Sequence, residues 1–203
     1  MKKITLDKQL ETYNIYIFKL NYITILFLSI ASIICSFGLL LNKKDYILAS
    51  SIIYVIINPI IAISFLLTTN NFSKLQSVIE QGLLILFITL VISFIIGYLT
   101  AYFNYITEPT EQMLLRSNLK KKVFSIDFFI AIIAGFGIYY AIMESNIITI
   151  LGFIIVFTLL PPITNAGLHY GMYFNDNPEM KDNENYLNYA NNSIILFIRL
   201  ILK

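Results

Sequence analysis

The stretch "FTLLPPITNAGLHYG", residues 157–171, decides how this chain is read. It lies inside an almost charge-free run from Ile147 to Phe174 and carries Pro161, Pro162, Asn165 and the chain's single histidine, His169. Proline lacks the amide that a helix interior needs, and its ring clashes with the carbonyl one turn earlier. The residue before a proline is pushed out of helical geometry as well. The run is therefore long and apolar enough for a membrane helix, yet it contains a residue pair that interrupts one.

The rest of the chain points to a bilayer as the solvent. Its 203 residues are 58% hydrophobic and 13% charged, with a mean hydropathy of +0.75. A soluble domain usually carries about 25% charged residues. The net charge of +2 is small and the basic residues are scattered, so no nucleic-acid partner is expected. Cys35 is the only cysteine; it can form no disulfide within the chain and reads as a small buried hydrophobe. The opening "MKKITLDKQLETYNIYIFK" has early lysines but no apolar stretch directly after them and no small-residue cleavage site. It reads as a basic arm rather than a removed signal peptide.

Six apolar runs mark helical segments: Leu20–Leu41, Tyr46–Thr69, Gln81–Ile106, Ser125–Met143, Ile147–Phe174 and Tyr186–Leu202. A span needs about 20 such residues at 1.5 Å each to cross about 30 Å of hydrocarbon. The expected fold is an all-α integral membrane protein, multi-pass in the cell membrane, with the lipid bilayer as its first partner. Arg199, near the end of the last segment, can snorkel to the interface. Asp127 reads as a cap of the fourth segment, and Glu80 and Glu144 as interfacial anchors at segment ends.

The halves echo one another. "ASIICSFG" (31–38) resembles "AIIAGFG" (131–137), and "LASSIIYVIINPIIA" (48–62) resembles "LGFIIVFTLLPPITN" (151–165), which sets Pro59 on Pro162. The chain divides into a basic arm (1–19), a first half (20–106), a basic central loop (107–124) and a second half (125–203). Segments two and five are each broken by proline. Such paired interrupted segments are the best sequence pointer to a transporter-type site.

Topology stays open. If all six segments span, the basic arm and the central loop with Arg116, Lys120, Lys121 and Lys122 fall on opposite faces, against the positive-inside rule. If the proline segments re-enter instead, as two half-helices of about 12 residues, both clusters face the cytoplasm. Full-length segments are the commoner case.

Unwound backbone in hydrocarbon is tolerated inside protein or beside a water-filled cavity. Asn58, Thr158, Thr164 and Asn165 are placed to satisfy the freed groups, and helix ends at Asn58-Pro59 and Pro161–Asn165 offer unpaired amides or carbonyls to a passenger. A packed kink without a ligand stands beside that reading. His169 is a candidate proton relay or ligand. The favoured expectation is plainer, an interfacial histidine hydrogen-bonded near Tyr170 and Tyr173. Gly135, Gly137, Gly152 and Gly167 would let helices approach closely. The candidate binding residues are thus Asn58, Pro59, Pro161, Pro162, Thr164, Asn165 and His169.

The motifs resemble a family of hydrophobic membrane proteins known as domain of unknown function family 389. "NPIIAISFLLTTNN" (58–71) is similar to its Pro-Ile-rich motif. "DFFIAIIAGFG" (127–137) is similar to its Asp-led small-residue helix, and "LLPPITNAGLHYG" (159–171) to its Val-Pro-Pro motif ending in glycine. Tyr54 and Val55 stand where the family usually has an earlier proline, Ala62 and Ser64 replace its glycines, and "RSNLKKKV" (116–123) only approximates its Arg-Thr-x-Pro lead. The resemblance covers roughly residues 30–200 and implies architecture rather than activity.

No HExxH, paired Cys or His ligands, phosphate loop or GxSxG is present. No enzyme activity, cofactor or metal is expected. The leading expectation is a small-solute or ion transport pathway, and the alternative is a non-transporting scaffold or regulatory membrane subunit. A homo-oligomer is a further expected partner, since glycine-lined helices suit self-association.

Overall fold

The computed structural model describes residues 21–53, 75–105, 108–118, 159–175 and 183–201. Among them are six helices and no strand: α1 (Tyr22–Leu40), α2 (Lys44–Ile53), α3 (Leu75–Tyr102), α4 (Glu111–Leu115), α5 (Leu160–Tyr173) and α6 (Asn183–Ile201). These are not the six predicted segments one for one. The fourth segment and Pro59 lie outside the described residues, whereas α4 falls in the predicted central loop.

α1 and α3 are long and apolar enough to cross a membrane. α1 matches its predicted run almost end to end. α3 begins six positions before the predicted Gln81, because "LQSVIE" extends the helix with a polar first turn. Glu80 is therefore inside a helix rather than at a segment end, and it accepts from Gln76 at 2.9 Å. α6 covers the predicted last segment, but its Asn-rich opening "NENYLNYANN" keeps it out of the spanning class among the described helices.

Local chemistry fixes the helix ends. Asn21 caps α1, its side chain accepting from the Thr24 amide at 2.8 Å. α1 and α3 stop in the same way. Asn42 (φ 56°) and Asn104 (φ 51°) adopt the left-handed conformation just past the helix. The next amide then reaches back, Lys43 to the Gly38 carbonyl at 2.8 Å and Tyr105 to the Thr100 carbonyl at 3.0 Å. This paired return closes carbonyls that would otherwise lack donors.

α5 is the centre of the bundle. It packs most extensively on α3, then on α6, with further contact to α1 and α2. The α3–α5 contact joins elements assigned to different halves of the sequence. Every residue from Leu160 to His169 is buried. The outside of the bundle is the reverse. Leu83 (60% exposed), Phe87 (67%) and Tyr102 (64%) look outward from α3, while Thr89 and Ser93 on the same helix are fully buried. The inward hydroxyls bond within their helices: Thr89 donates to the Ile85 carbonyl and Ser93 to the Thr89 carbonyl, both at 2.9 Å.

Candidate functional site

The double proline lies in the first turn of α5. Leu159 is the N-cap, and at Pro161 and Pro162 proline's missing amide would have had no helical partner anyway. Two of the first-turn positions therefore have no amide to offer a passenger. At 14 residues α5 is about 21 Å long, short of the about 30 Å of a hydrocarbon core.

The side chains of α5 take over that role, and they divide by face. Gly167 and Gly171, one turn apart, lie against α3. A Cβ on Gly167 would come within 2.7 Å of both the Leu90 carbonyl oxygen and Ser93 Cβ. A Cβ on Gly171 would run into the Phe94 carbonyl, and one on Gly97 into the Leu168 carbonyl. Backbones meet directly here, as small-residue spacing of four allows. Gly167 keeps its predicted role; Gly97 and Gly171 are additions, and Gly135, Gly137 and Gly152 lie outside the described residues. The far end of this contact is closed by Asn175, whose Nδ2 donates to the Tyr98 carbonyl at 3.0 Å.

The opposite side is polar. Asn165, fully buried, points its Nδ2 at three acceptors: the Met113 carbonyl at 2.9 Å, Ser117 Oγ at 3.0 Å and Ser193 Oγ at 2.9 Å. Ser193 in turn donates to the Tyr189 carbonyl at 2.8 Å. The orientation of the Asn165 amide follows from this set, since its oxygen would repel the Met113 carbonyl if the two ends were exchanged. Asn165 therefore ties α5 to α4 and α6.

The segment Glu108–Asn118 is correspondingly not a free loop. Thr110 caps α4, its Oγ1 accepting from the Met113 amide at 3.3 Å while donating to the Leu39 carbonyl at 2.6 Å. The Gln112 amide donates to Asn42 Oδ1 at 3.2 Å. Gln112, Met113 and Ser117 are buried. Arg116 Nη1 donates to both the Gln112 carbonyl (2.9 Å) and Gln112 Oε1 (2.8 Å), which fixes that amide too. Burial lowers the Arg116 pKa from the usual guanidinium range, and the group remains a cation.

Five buried polar atoms of this region have no hydrogen-bond partner: Asn165 Oδ1, Thr164 Oγ1, His169 Nδ1, His169 Nε2 and Gln112 Nε2. Thr164 stands with Ser50 beside the fully buried Cys35 thiol, its hydroxyl turned to the sulfur without closing a bond of ordinary geometry. His169 is fully buried between the rings of Tyr186 (5.6 Å) and Tyr189 (5.3 Å). That overturns the expectation of an interfacial histidine near Tyr170 and Tyr173. Tyr170 bonds Asn191 at 2.7 Å, and Tyr173, one turn beyond His169, pairs with the Phe174 ring at 5.3 Å. Buried polar groups are satisfied in the large majority of cases, so such a concentration asks for a cause.

The structure thus brings Pro161, Pro162, Thr164, Asn165 and His169 together on one helix. Asn58 and Pro59 lie outside the described residues. Gln112, Met113, Ser117 and Ser193 complete the site and carry no local sequence signal.

A family model described as "Domain of unknown function (DUF389)" matches residues 52–199. No curated protein and no solved structure matches the chain.

Proposed function

Because the chain belongs to the DUF389 family, whose description names no activity, we propose on its own residues that it is a multi-pass protein of the cell membrane. Its central helix, α5, lines a pathway for a small solute or ion. The observation that carries this reading is the set of unpartnered polar atoms on α5 and α4. The inverted polarity of the bundle supports the membrane setting: hydroxyls are inside, and Phe87, Ile95 and Leu99 are outside. A helix that begins at a proline pair, buried nearly all round and too short to span, is the form in which membrane proteins present polar groups at depth. The two related three-segment halves belong to the same proposal.

Thr164→Val tests it. The change keeps shape and removes a hydroxyl whose one neighbouring group is the Cys35 thiol, so folding should be preserved. The purified protein is reconstituted into vesicles and assayed against a panel of ions and uncharged solutes. Wild type should carry at least one of them, and Thr164→Val should slow it about tenfold, the worth of about 1.4 kcal/mol of lost interaction. If no member of the panel moves, the scaffold reading takes its place.

A further inference from the structure

We infer that the outer face of the first half of α6 lines a water-filled vestibule that reaches the middle of the bilayer. This rests on the membrane reading above and adds the route by which a passenger comes to α5.

Contacts across the bundle set the depth of each helix. α3 and α5 run the same way: Gly167 stands against Leu90 and Ser93, Gly171 against Phe94, and Asn175 against Tyr98. α6 runs the other way, with Ser193 against Asn165 and Tyr189 against His169. The stretch of α3 from Gln81 to Tyr102 carries no charged residue. Its middle, near Val91 and Ile92, is therefore level with His169 on α5 and with Tyr189 on α6.

At that depth the two outer surfaces show opposite chemistry. Phe87 (67% exposed) and Ile95 (50%) look outward from α3. On α6 the exposed residues are Asn188 and Asn191, one turn apart, and Asn185 continues the line toward the helix start. The inner face of α6 carries Tyr186, Ala190 and Ser193, all buried. A carboxamide in hydrocarbon finds no hydrogen-bond partner, so polar side chains at bilayer depth meet protein or a water-filled cavity. The face has no Gly or Ala of the kind that seats α5 on α3, which favours water over a second helix. The Tyr170 hydroxyl donates to Asn191 Oδ1 at 2.7 Å in an exposed bond, so α5 shares this polar face. The polar stretch from Asn183 to Asn192 is about 15 Å long, half of a hydrocarbon core of about 30 Å. It ends before Ile195 (40% exposed), where the face becomes apolar. Water thus enters where α6 begins and stops near mid-depth. Tyr189, half-buried, is the ring between this face and His169, 5.3 Å away.

Cysteine reactivity tests the vestibule. Asn188→Cys and Asn191→Cys are made singly, with Ile195→Cys, Phe87→Cys and Ile95→Cys for comparison. Wild type is the blank, because Cys35 is fully buried. Each full-length protein is placed in lipid nanodiscs, open to both sides, and treated with a charged methanethiosulfonate. Thermal unfolding confirms that each variant is folded. The thiolate is the reacting form, so Asn188→Cys and Asn191→Cys should react roughly tenfold faster or more than the other three. Rates as slow as that of Phe87→Cys would overturn the vestibule, and a copper-phenanthroline disulfide joining two chains in Asn191→Cys would then identify a second copy as the cover of this face. Fast reaction in Phe87→Cys and Ile95→Cys as well would overturn the membrane setting with it. Fast reaction in Asn188→Cys and Asn191→Cys alone, with no member of the solute panel moved in vesicles, would confirm the vestibule and overturn the pathway.

Discussion

The two sides of α5 are built on opposite principles. Toward α3 there is contact without side chains: Gly167 and Gly171 meet Leu90, Ser93 and Phe94 backbone to backbone, and the neighbouring hydroxyls bond inside their own helix. Toward α4 and α6 there are side chains with unfinished hydrogen bonding: Asn165, His169 and Gln112. The first side tolerates no added atom, and the second holds polar atoms that the protein leaves without partners. One helix can thus be rigidly seated on one side and chemically available on the other. The glycine contact fixes where the polar atoms stand.

The strongest way to break this contrast is Gly171→Val. A branched side chain would collide with the Phe94 carbonyl and force α3 and α5 apart, an overpacking of about 3 kcal/mol or more. The expected result is a large loss of folded protein, read by thermal unfolding in detergent. An unchanged transition would mean that the helices can separate freely and that the close contact fixes nothing.

Asn165→Leu should come next. It removes the donor shared by Met113, Ser117 and Ser193, whose oxygens keep only their bonds to one another and to the backbones of α4 and α6, at about 1 kcal/mol. The variant should unfold at a lower temperature than Thr164→Val, which loses only the hydroxyl beside the Cys35 thiol. If the two were equally stable, the tie between α5 and α4 would be idle. Ser93→Ala sharpens the comparison from the dry side. Its hydroxyl bonds the Thr89 carbonyl one turn back and only grazes Ser36 at 3.5 Å, so the loss should stay near or below about 0.6 kcal/mol. A larger drop would show that the α1–α3 hydroxyl contact is more than incidental.

The sequence made some of this plain and hid the rest for physical reasons. α1 and α3 are legible because twenty or so uncharged residues in a row admit few other structures. The candidate polar residues of α5 are legible because Thr164, Asn165 and His169 are conspicuous in greasy sequence. Their partners are not. Met113, Ser117 and Ser193 lie 52, 48 and 28 residues from Asn165, and two of them fall in a stretch whose polarity reads as a connecting loop. "TEQMLL" was too short and too mixed to announce a helix, yet Thr110 caps one there. His169 misled for a related reason. Its sequence neighbours Tyr170 and Tyr173 find other partners, Asn191 and Phe174, and the rings that enclose it come from α6. The left-handed Asn42, by contrast, had a readable signal, an asparagine directly after an apolar run, whereas Asn104 lies within the predicted Gln81–Ile106 run.

The bond from Thr110 to the Leu39 carbonyl also bears on how the chain is made. Donor and acceptor are 71 residues apart, so the end of α1 waits for its last partner until the ribosome has added α3 and reached α4. At about 5–20 residues per second that wait lasts several seconds. During it the α1–α2 turn is held by its own returns, Asn42 to the Leu39 carbonyl and Lys43 to the Gly38 carbonyl. The end of α1 therefore gains this tie only after α3 has been synthesised.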